Sequence, residues 1–381
     1  MTNPLIQLGE LGQSVWYDNI DRSQLISGEF QRMLNEDGVV GVTANPTIFE
    51  KSISAGQTYD EQINQLVAGG KDKNDIYEAL VIKDIRTVAD LLRPIYDKTQ
   101  AKDGYVSLEV SPDLAHDTEG TIAEARRFWK MVDRPNLLIK IPATPAGIPA
   151  IRATLSEGIN VNITLIFSLQ NYREVTDAYL GALEQRQAEG KDNRRIASVA
   201  SFFVSRVDTL VDKMLEDKIK ATSDSAEQQK LKALEGKAAI ANARLVYQEF
   251  KSIFGSARFK ALQQNGAVVQ RPLWASTSTK NPAYRDVLYA EELIGPDTVD
   301  TMPFETIHNF RDHGQVRLSI EDNIPQAHAE LAALEAVGIS YDKVTSQLQD
   351  EGVQKFADSF HSLFAGISSK QKMIKEKQVT H

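Results

Sequence analysis

Eight short apolar segments alternate with helical patterns along most of this chain, and that alternation restricts the fold more than any other feature. They fall at residues 14–19, 39–45, 105–110, 137–143, 161–167, 197–204, 268–275 and, more weakly, 298–302. Strands separated by helices pair in parallel through right-handed crossovers. Two architectures satisfy this: an open doubly wound sheet, or a closed (β/α)8 barrel of roughly 250 residues before insertions.

Side-chain parity separates the two. In "YVSLEV", Val106, Leu108 and Val110 share one face, while Tyr105, Ser107 and Glu109 share the other. In "NVNITLIF", Val161, Ile163, Leu165 and Phe167 oppose Asn160, Asn162 and Thr164. Trp16 and Asp18 share a face, as do Gly41, Thr43 and Asn45, and Leu138 and Lys140. A strand covered by helices on both sides is apolar on both. These strands instead keep one apolar face and turn polar on the other towards the carboxyl end. That pattern predicts an α/β fold: a single (β/α)8 TIM barrel with its site at the C-terminal mouth.

The 381 residues exceed the barrel's needs, and the surplus has recognisable places. Residues 218–237 are charged and Ala-rich and read as a helical insertion after the sixth strand; its role as a solvated helix or a partner surface is not given by its charge. Residues 323–364 read as C-terminal helices, 365–381 as a polar, frayed tail, and an extra helix is expected at the N-terminus as well. No linker divides residues 1–381, so one domain is expected. A helix is expected over 208–218, with Val207, Leu210, Val211, Met214 and Leu215 on its buried face. Another is expected to begin at Asn281-Pro282, a cap residue followed by proline.

Composition narrows the function classes. The 43 basic and 52 acidic residues give a net charge of −9, which argues against nucleic acid and anionic membranes as partners. The absence of cysteine excludes disulfides, thiolate metal sites and a cysteine nucleophile. The first residues, "MTNPLIQLGE", lack a signal-peptide pattern, and no apolar run approaches the roughly 20 residues of a membrane span. A cytoplasmic location is expected. No G-x-G-x-x-G turn, Gly-Lys-Ser/Thr loop or G-x-S-x-G elbow is present. His308 and His313 are not spaced to share a helical face, so no metal is expected.

The strand ends carry the chemistry. Asp18, Asn45, Glu109, Lys140, Asn162, Thr164, Ser201 and Ser276 lie there, with Arg206 and Lys280 just beyond. A lysine attacks a carbonyl only as the free amine, which desolvation or a neighbouring cation favours. Lys140, between Leu138 and Pro142, has the desolvated setting. Carbon–carbon cleavage from a Schiff base also needs a proton carrier, and Asp18 and Glu109 are the carboxylates at hand. Asn45 and Asn162 can hold substrate hydroxyls without competing for protons. On these residues alone, a structural Lys140–Glu109 pair in a non-catalytic sugar-phosphate-binding barrel stays open beside catalysis.

These segments resemble the transaldolase family, in particular its longer bacterial type. The matching stretches are "YDNI", "TANPTIF", "VSLEVSP", "LIKIPATPAGIPAI", "INVNITLIFS", "SFFVSRVD" and "WASTSTKNPAY". The resemblance implies a barrel enzyme of the pentose phosphate pathway without cofactor or metal. It would move a dihydroxyacetone unit from a ketose phosphate to an aldose phosphate. Lys140 matches the Schiff-base lysine and Asp18 the acid/base aspartate, while Glu109 and Thr164 match the pair that works through a water. Asn45 and Asn162 match the substrate-holding amides, Ser201 and Arg206 the phosphate-binding serine and arginine, and Ser276 the serine after the seventh strand. The family's arginine two residues beyond that serine is here Ser278, and Lys280 is expected to supply the second cation. Phe203 stands where related fructose-6-phosphate aldolases, which release free dihydroxyacetone, carry a tyrosine. A phenylalanine cannot donate a proton, which favours transfer over release. Sugar phosphates are the expected partners, and both a monomer and a homodimer are compatible with the sequence.

Overall fold

The eight strands of the computed structural model close on themselves. They are β1 (Gln13–Tyr17), β2 (Val39–Val42), β3 (Tyr105–Glu109), β4 (Leu137–Pro142), β5 (Val161–Ile166), β6 (Ser198–Phe203), β7 (Arg271–Ala275) and β8 (Thr298–Met302). Each pairs in parallel with its sequence neighbour, and β8 returns to β1. The model describes residues 3–54 and 57–379, with side chains to 374. The barrel expected from parity is the barrel found.

Parity also explains the filling of the interior. At the lower end, the Arg271 guanidinium donates to Ser14 Oγ at 2.7 Å and to Asp103 Oδ1 at 2.9 Å. Ser14 Oγ and Trp16 Nε1 both donate to the same carboxylate, at 2.8 and 3.2 Å. The buried pair of opposite charges therefore has its remaining lone pairs satisfied, the condition under which such a pair is tolerated. The indole of Trp16 reaches across to β2, where a Cβ on Gly41 would stand 2.5 Å from the ring. Only glycine fits beneath it. Higher up, Asn162 Nδ2 donates to Ser107 Oγ at 3.0 Å, and Asn162 Oδ1 accepts from Ser201 Oγ at 2.6 Å. A polar layer thus links β3, β5 and β6 immediately below the mouth.

Several boundaries differ from those expected. β7 begins at Arg271 rather than at 268, because Val268 is exposed and its carbonyl accepts from Tyr179 Oη. β2 ends at Val42, and Asn45 instead accepts from the Ile48 amide at the start of the Pro46–Ser54 helix. Asn281-Pro282 starts no helix. Asn281 Oδ1 accepts from the Ala283 amide and its carbonyl from the Tyr284 amide, which closes a turn. The next helix is Leu288–Glu292.

The helix expected over 208–218 runs from Ser205 to Ala221 and buries Val207, Val211 and Leu215. Residues 218–237 are not one insert. They contain the end of that helix and a separate one, Ser225–Lys232, capped by Asp224. At the C-terminus, the helices Ile324–Ala336 and Tyr341–Val379 occupy the expected region. The second continues well past 364, so residues 365–379 are helical rather than a frayed tail. Ile367 is fully buried and Lys370 pairs with Asp60, so the polar composition concealed an anchored face.

Candidate active site

β3 and β4 end side by side, with Glu109 and Lys140 as register partners. Their shared inward parity puts Lys140 Nζ 3.2 Å from Glu109 Oε2, with both side chains 5% exposed. This is a charge pair without the alignment of a hydrogen bond, since that oxygen has no hydrogen-bond partner among the described residues. Nζ donates instead to the carbonyl of Ala44 at 3.3 Å, two residues past the end of β2. Above it lies the ring of Phe356, centred 5.6 Å away. The amine therefore sits between an acid, a carbonyl and an aromatic face.

Asp18 follows β1 on the same inward face. Its carboxylate accepts from Thr43 Oγ1 at 2.6 Å, and Thr43 in turn meets Thr301 Oγ1 at 2.6 Å. Burial pushes the Asp18 carboxyl above its ordinary range, against the opposing pull of Lys140, the Thr43 hydroxyl, Arg206 and Lys280. Glu109 is also raised by burial, against the pull of Lys140. Two carboxyls inclined to hold protons flank one amine. Acid/base chemistry near neutral pH uses such groups.

Thr164 lies two residues beyond Asn162 on the same face of β5. Its hydroxyl is buried without a hydrogen-bond partner among the described residues. An unsatisfied buried hydroxyl is costly unless a water or substrate group completes it. The strand deforms just beyond: Leu165 takes a φ of +60°, and the register with β6 shifts. Gln349 of the C-terminal helix takes up the freed carbonyls, donating to Ala143 O and Leu165 O at 3.0 and 3.1 Å.

On the far side of the mouth, Phe203 packs on Phe167 with ring centroids 5.2 Å apart. Arg206, second residue of the Ser205–Ala221 helix, lies over Phe203 at 5.0 Å and over Phe356 at 5.9 Å. Ser276, with φ +58°, meets Ser205 Oγ at 2.9 Å, and its carbonyl accepts from the Ser205 amide. A cation, two hydroxyls and a helix N-terminus meet there, the usual elements of a phosphate site. Lys280 stands at the rim with Nζ 2.5 Å from Ser278 Oγ. Its pKa is lowered by desolvation and then by Arg206.

The fold thus gathers Lys140, Asp18, Glu109, Thr164, Asn45, Asn162, Phe203, Arg206, Ser276 and Lys280 around one mouth. Ser201 is different: its hydroxyl lies in the barrel interior, donating to Asn162 rather than standing with Arg206 at the rim. Thr43, Gln349, Phe356 and Gly352, at which a Cβ would stand 3.5 Å from Arg206 Nη1, are contributors that the sequence reading did not find. Thr43 was visible in the parity of "GVTAN". The other three form a stripe at helical spacing, which marks a packed face but not the surface it packs on.

Residues 15–367 match the family described as Transaldolase/Fructose-6-phosphate aldolase. The chain is similar to the transaldolase of Trichodesmium erythraeum (strain IMS101), 47% identical over 98% of this chain and 99% of the relative. It is 50% identical to the transaldolase of Thermobifida fusca (strain YX) over 97% and 98% of the two chains. Transaldolase 1 of Streptomyces avermitilis is 49% identical over 96% of this chain and 95% of its own. Barrel, buried lysine and whole-length similarity agree, and the chain belongs to the transaldolase/fructose-6-phosphate aldolase family.

Proposed function

We propose that the chain is a transaldolase, a transferase that carries a dihydroxyacetone unit from a ketose phosphate to an aldose phosphate through a Schiff base on Lys140. The observation that carries this reading is the Lys140 amine, enclosed at the barrel mouth 3.2 Å from Glu109 with Asp18 in the same field. Donors would be fructose 6-phosphate or sedoheptulose 7-phosphate, and acceptors glyceraldehyde 3-phosphate or erythrose 4-phosphate.

In this mechanism the amine attacks the ketone carbon, and Glu109 handles the proton traffic of carbinolamine dehydration through a water that Thr164 holds. Asp18 then takes the proton of the C4 hydroxyl as the C3–C4 bond breaks. The released aldehyde leaves a three-carbon enamine on Lys140. An incoming aldehyde accepts the new bond, and Asp18 returns the proton to its oxygen; water then adds to the resulting Schiff base, which releases the new ketose and restores the Lys140 amine. Asn45 and Asn162 hold the hydroxyls and the intermediate, with Ser201 orienting Asn162. Arg206, Ser276 and Lys280 hold the phosphate. Phe203 presents no hydroxyl to protonate the enamine, which favours transfer over release of free dihydroxyacetone.

The mouth is polar, the chain as a whole carries a net charge of −9, and no helix among the described residues is long and apolar enough to span a membrane; a cytoplasmic sugar-phosphate enzyme is compatible with these. Borohydride reduction with fructose 6-phosphate tests the proposal. A mass increase on the peptide carrying Lys140 is expected, and no adduct at saturating sugar would leave a binding barrel without catalysis. Adding erythrose 4-phosphate then separates the transferase, which makes a seven-carbon sugar, from an aldolase that accumulates dihydroxyacetone.

A further inference from the structure

Four cations border the phosphate end of the mouth, and none has a carboxylate within ion-pair distance among the described residues: Arg206, Lys280, Lys51 and Lys355. The acids that act on them do so from farther off: Asp18, Glu109 and Glu351 on Arg206, and Glu305 and Asp18 on Lys280. Lys355 belongs to the C-terminal helix, which is pinned across the mouth turn by turn. Gln349 bonds the strained end of β5. Gly352 passes so close that a Cβ would stand 2.8 Å from Leu165 and 3.5 Å from Arg206 Nη1. Phe356, buried, spans Lys140 and Arg206, and Ser359 Oγ meets Thr47 Oγ1 at 2.7 Å.

Lys355, exposed, therefore stands at the rim, one turn past the glycine that approaches Arg206 and next to the buried Phe356. The charges of Arg206, Lys280 and Lys51 all depress its pKa, with Arg206 the largest contributor. Like charges gathered without an ion-paired acid favour an anion that lies among them.

We propose that Lys355 is a ligand of the substrate phosphate, contributed by the C-terminal helix, and that it sets the preference for phosphorylated over unphosphorylated sugars. The proposal rests on the transfer reading above and deepens it. Ser278 stands where the resemblance puts the family's arginine fork, and Lys280, two residues on, is a point charge; a second ammonium from the C-terminal helix supplies a further direction that the fork would have supplied.

The test uses the full chain with Lys355→Ala, Lys355→Arg and, as a control for charge loss elsewhere on the helix, Lys343→Ala. Two quantities are read: the ratio of kcat/KM for fructose 6-phosphate to that for fructose, and the calorimetric Kd of inorganic phosphate. For Lys355→Ala the ratio is expected to fall about tenfold, mainly through KM, while the phosphate Kd rises by a similar factor. Lys355→Arg restores both, and Lys343→Ala changes neither. A ratio and a Kd within twofold of the unaltered chain in Lys355→Ala overturn the proposal. So does an equal loss with both sugars, which marks a strap with no phosphate contact. If the unaltered chain forms no borohydride adduct, it is the transfer reading that fails; the phosphate Kd still decides whether Lys355 is an anion ligand.

Discussion

Replacing Asp300 with asparagine tests whether a buried acid on β8 opposes folding at neutral pH. Asp300 is fully buried, and Thr277 Oγ1 donates to its Oδ1 at 2.8 Å. Its Oδ2 has no hydrogen-bond partner among the described residues. Desolvation pushes its pKa up to about 7, and only the Thr277 hydroxyl acts against it. An acid with a raised folded pKa holds its proton more tightly when folded, so folding takes up a proton. Stability is then highest below the unfolded value near 4 and falls as pH rises to about 7. The full loss is about 4 kcal/mol, of which roughly 2–3 kcal/mol falls between pH 5 and 8. No solvent screening reduces it at a site with no exposed surface.

Asparagine keeps the Thr277 bond and places an amide where the protonated acid has its O–H. Asp300→Asn should therefore be more stable than the unaltered chain by about 1–2 kcal/mol at pH 5 and by about 4 kcal/mol at pH 8, so that the gap widens by about 2–3 kcal/mol across the window. Urea unfolding midpoints at four pH values check this, with the slope m expected to stay constant. Asp208, also raised to about 7 by burial, is present in both chains and cancels in the difference. Parallel pH dependences for the two chains would refute the reasoning.

Three further outcomes are expected. Arg22→Met removes the guanidinium 2.7 Å from the buried Asp84 and should destabilise by about 3–5 kcal/mol at pH 7. Because the Asp84 pKa is already raised by burial and held down by Arg22, the deficit should shrink as the pH is lowered and the carboxyl takes up a proton. A deficit constant with pH in denaturation would contradict this. Thr43→Val deletes the hydroxyl that lowers the Asp18 pKa, so the acid limb of the kcat profile should move to higher pH; an unmoved limb would remove Asp18 from that titration. Phe356→Ala should cost about 3–5 kcal/mol and lower kcat/KM, since the ring is both buried packing and the cover over Lys140 and Arg206. Thermal scans and initial rates read the two effects, and an unaltered rate would show that the helix does not act on the site.

The barrel and most of its mouth were legible because strand parity is local. Whether Glu109 and Lys140 face the same way as Ser107 and Leu138 depends on alternation within five or six residues, and a closed parallel sheet converts that alternation into inside and outside. Asp18, Asn162 and Thr164 were found on the same ground. Asn281-Pro282 misled because a cap and a turn use the same side-chain chemistry; the choice came from where the Ala283 and Tyr284 amides bonded. The polar tail misled for a related reason: composition counts charges, whereas one buried Ile367 and one Lys370–Asp60 pair anchor the segment.

What only the tertiary structure decided is how distant segments meet. The destination of the Tyr341–Val379 helix is unreadable from its own stripe, because an apolar face states that a helix packs and not on what. Placed across the mouth, it brings Gln349 to β5 and Phe356 to Lys140 across more than 180 residues of chain. Ser201 follows the same logic: its inward parity was local information, but its bond to Asn162, set by the register of β5 with β6, determines that it serves the amide inside the barrel and not the cations at the rim.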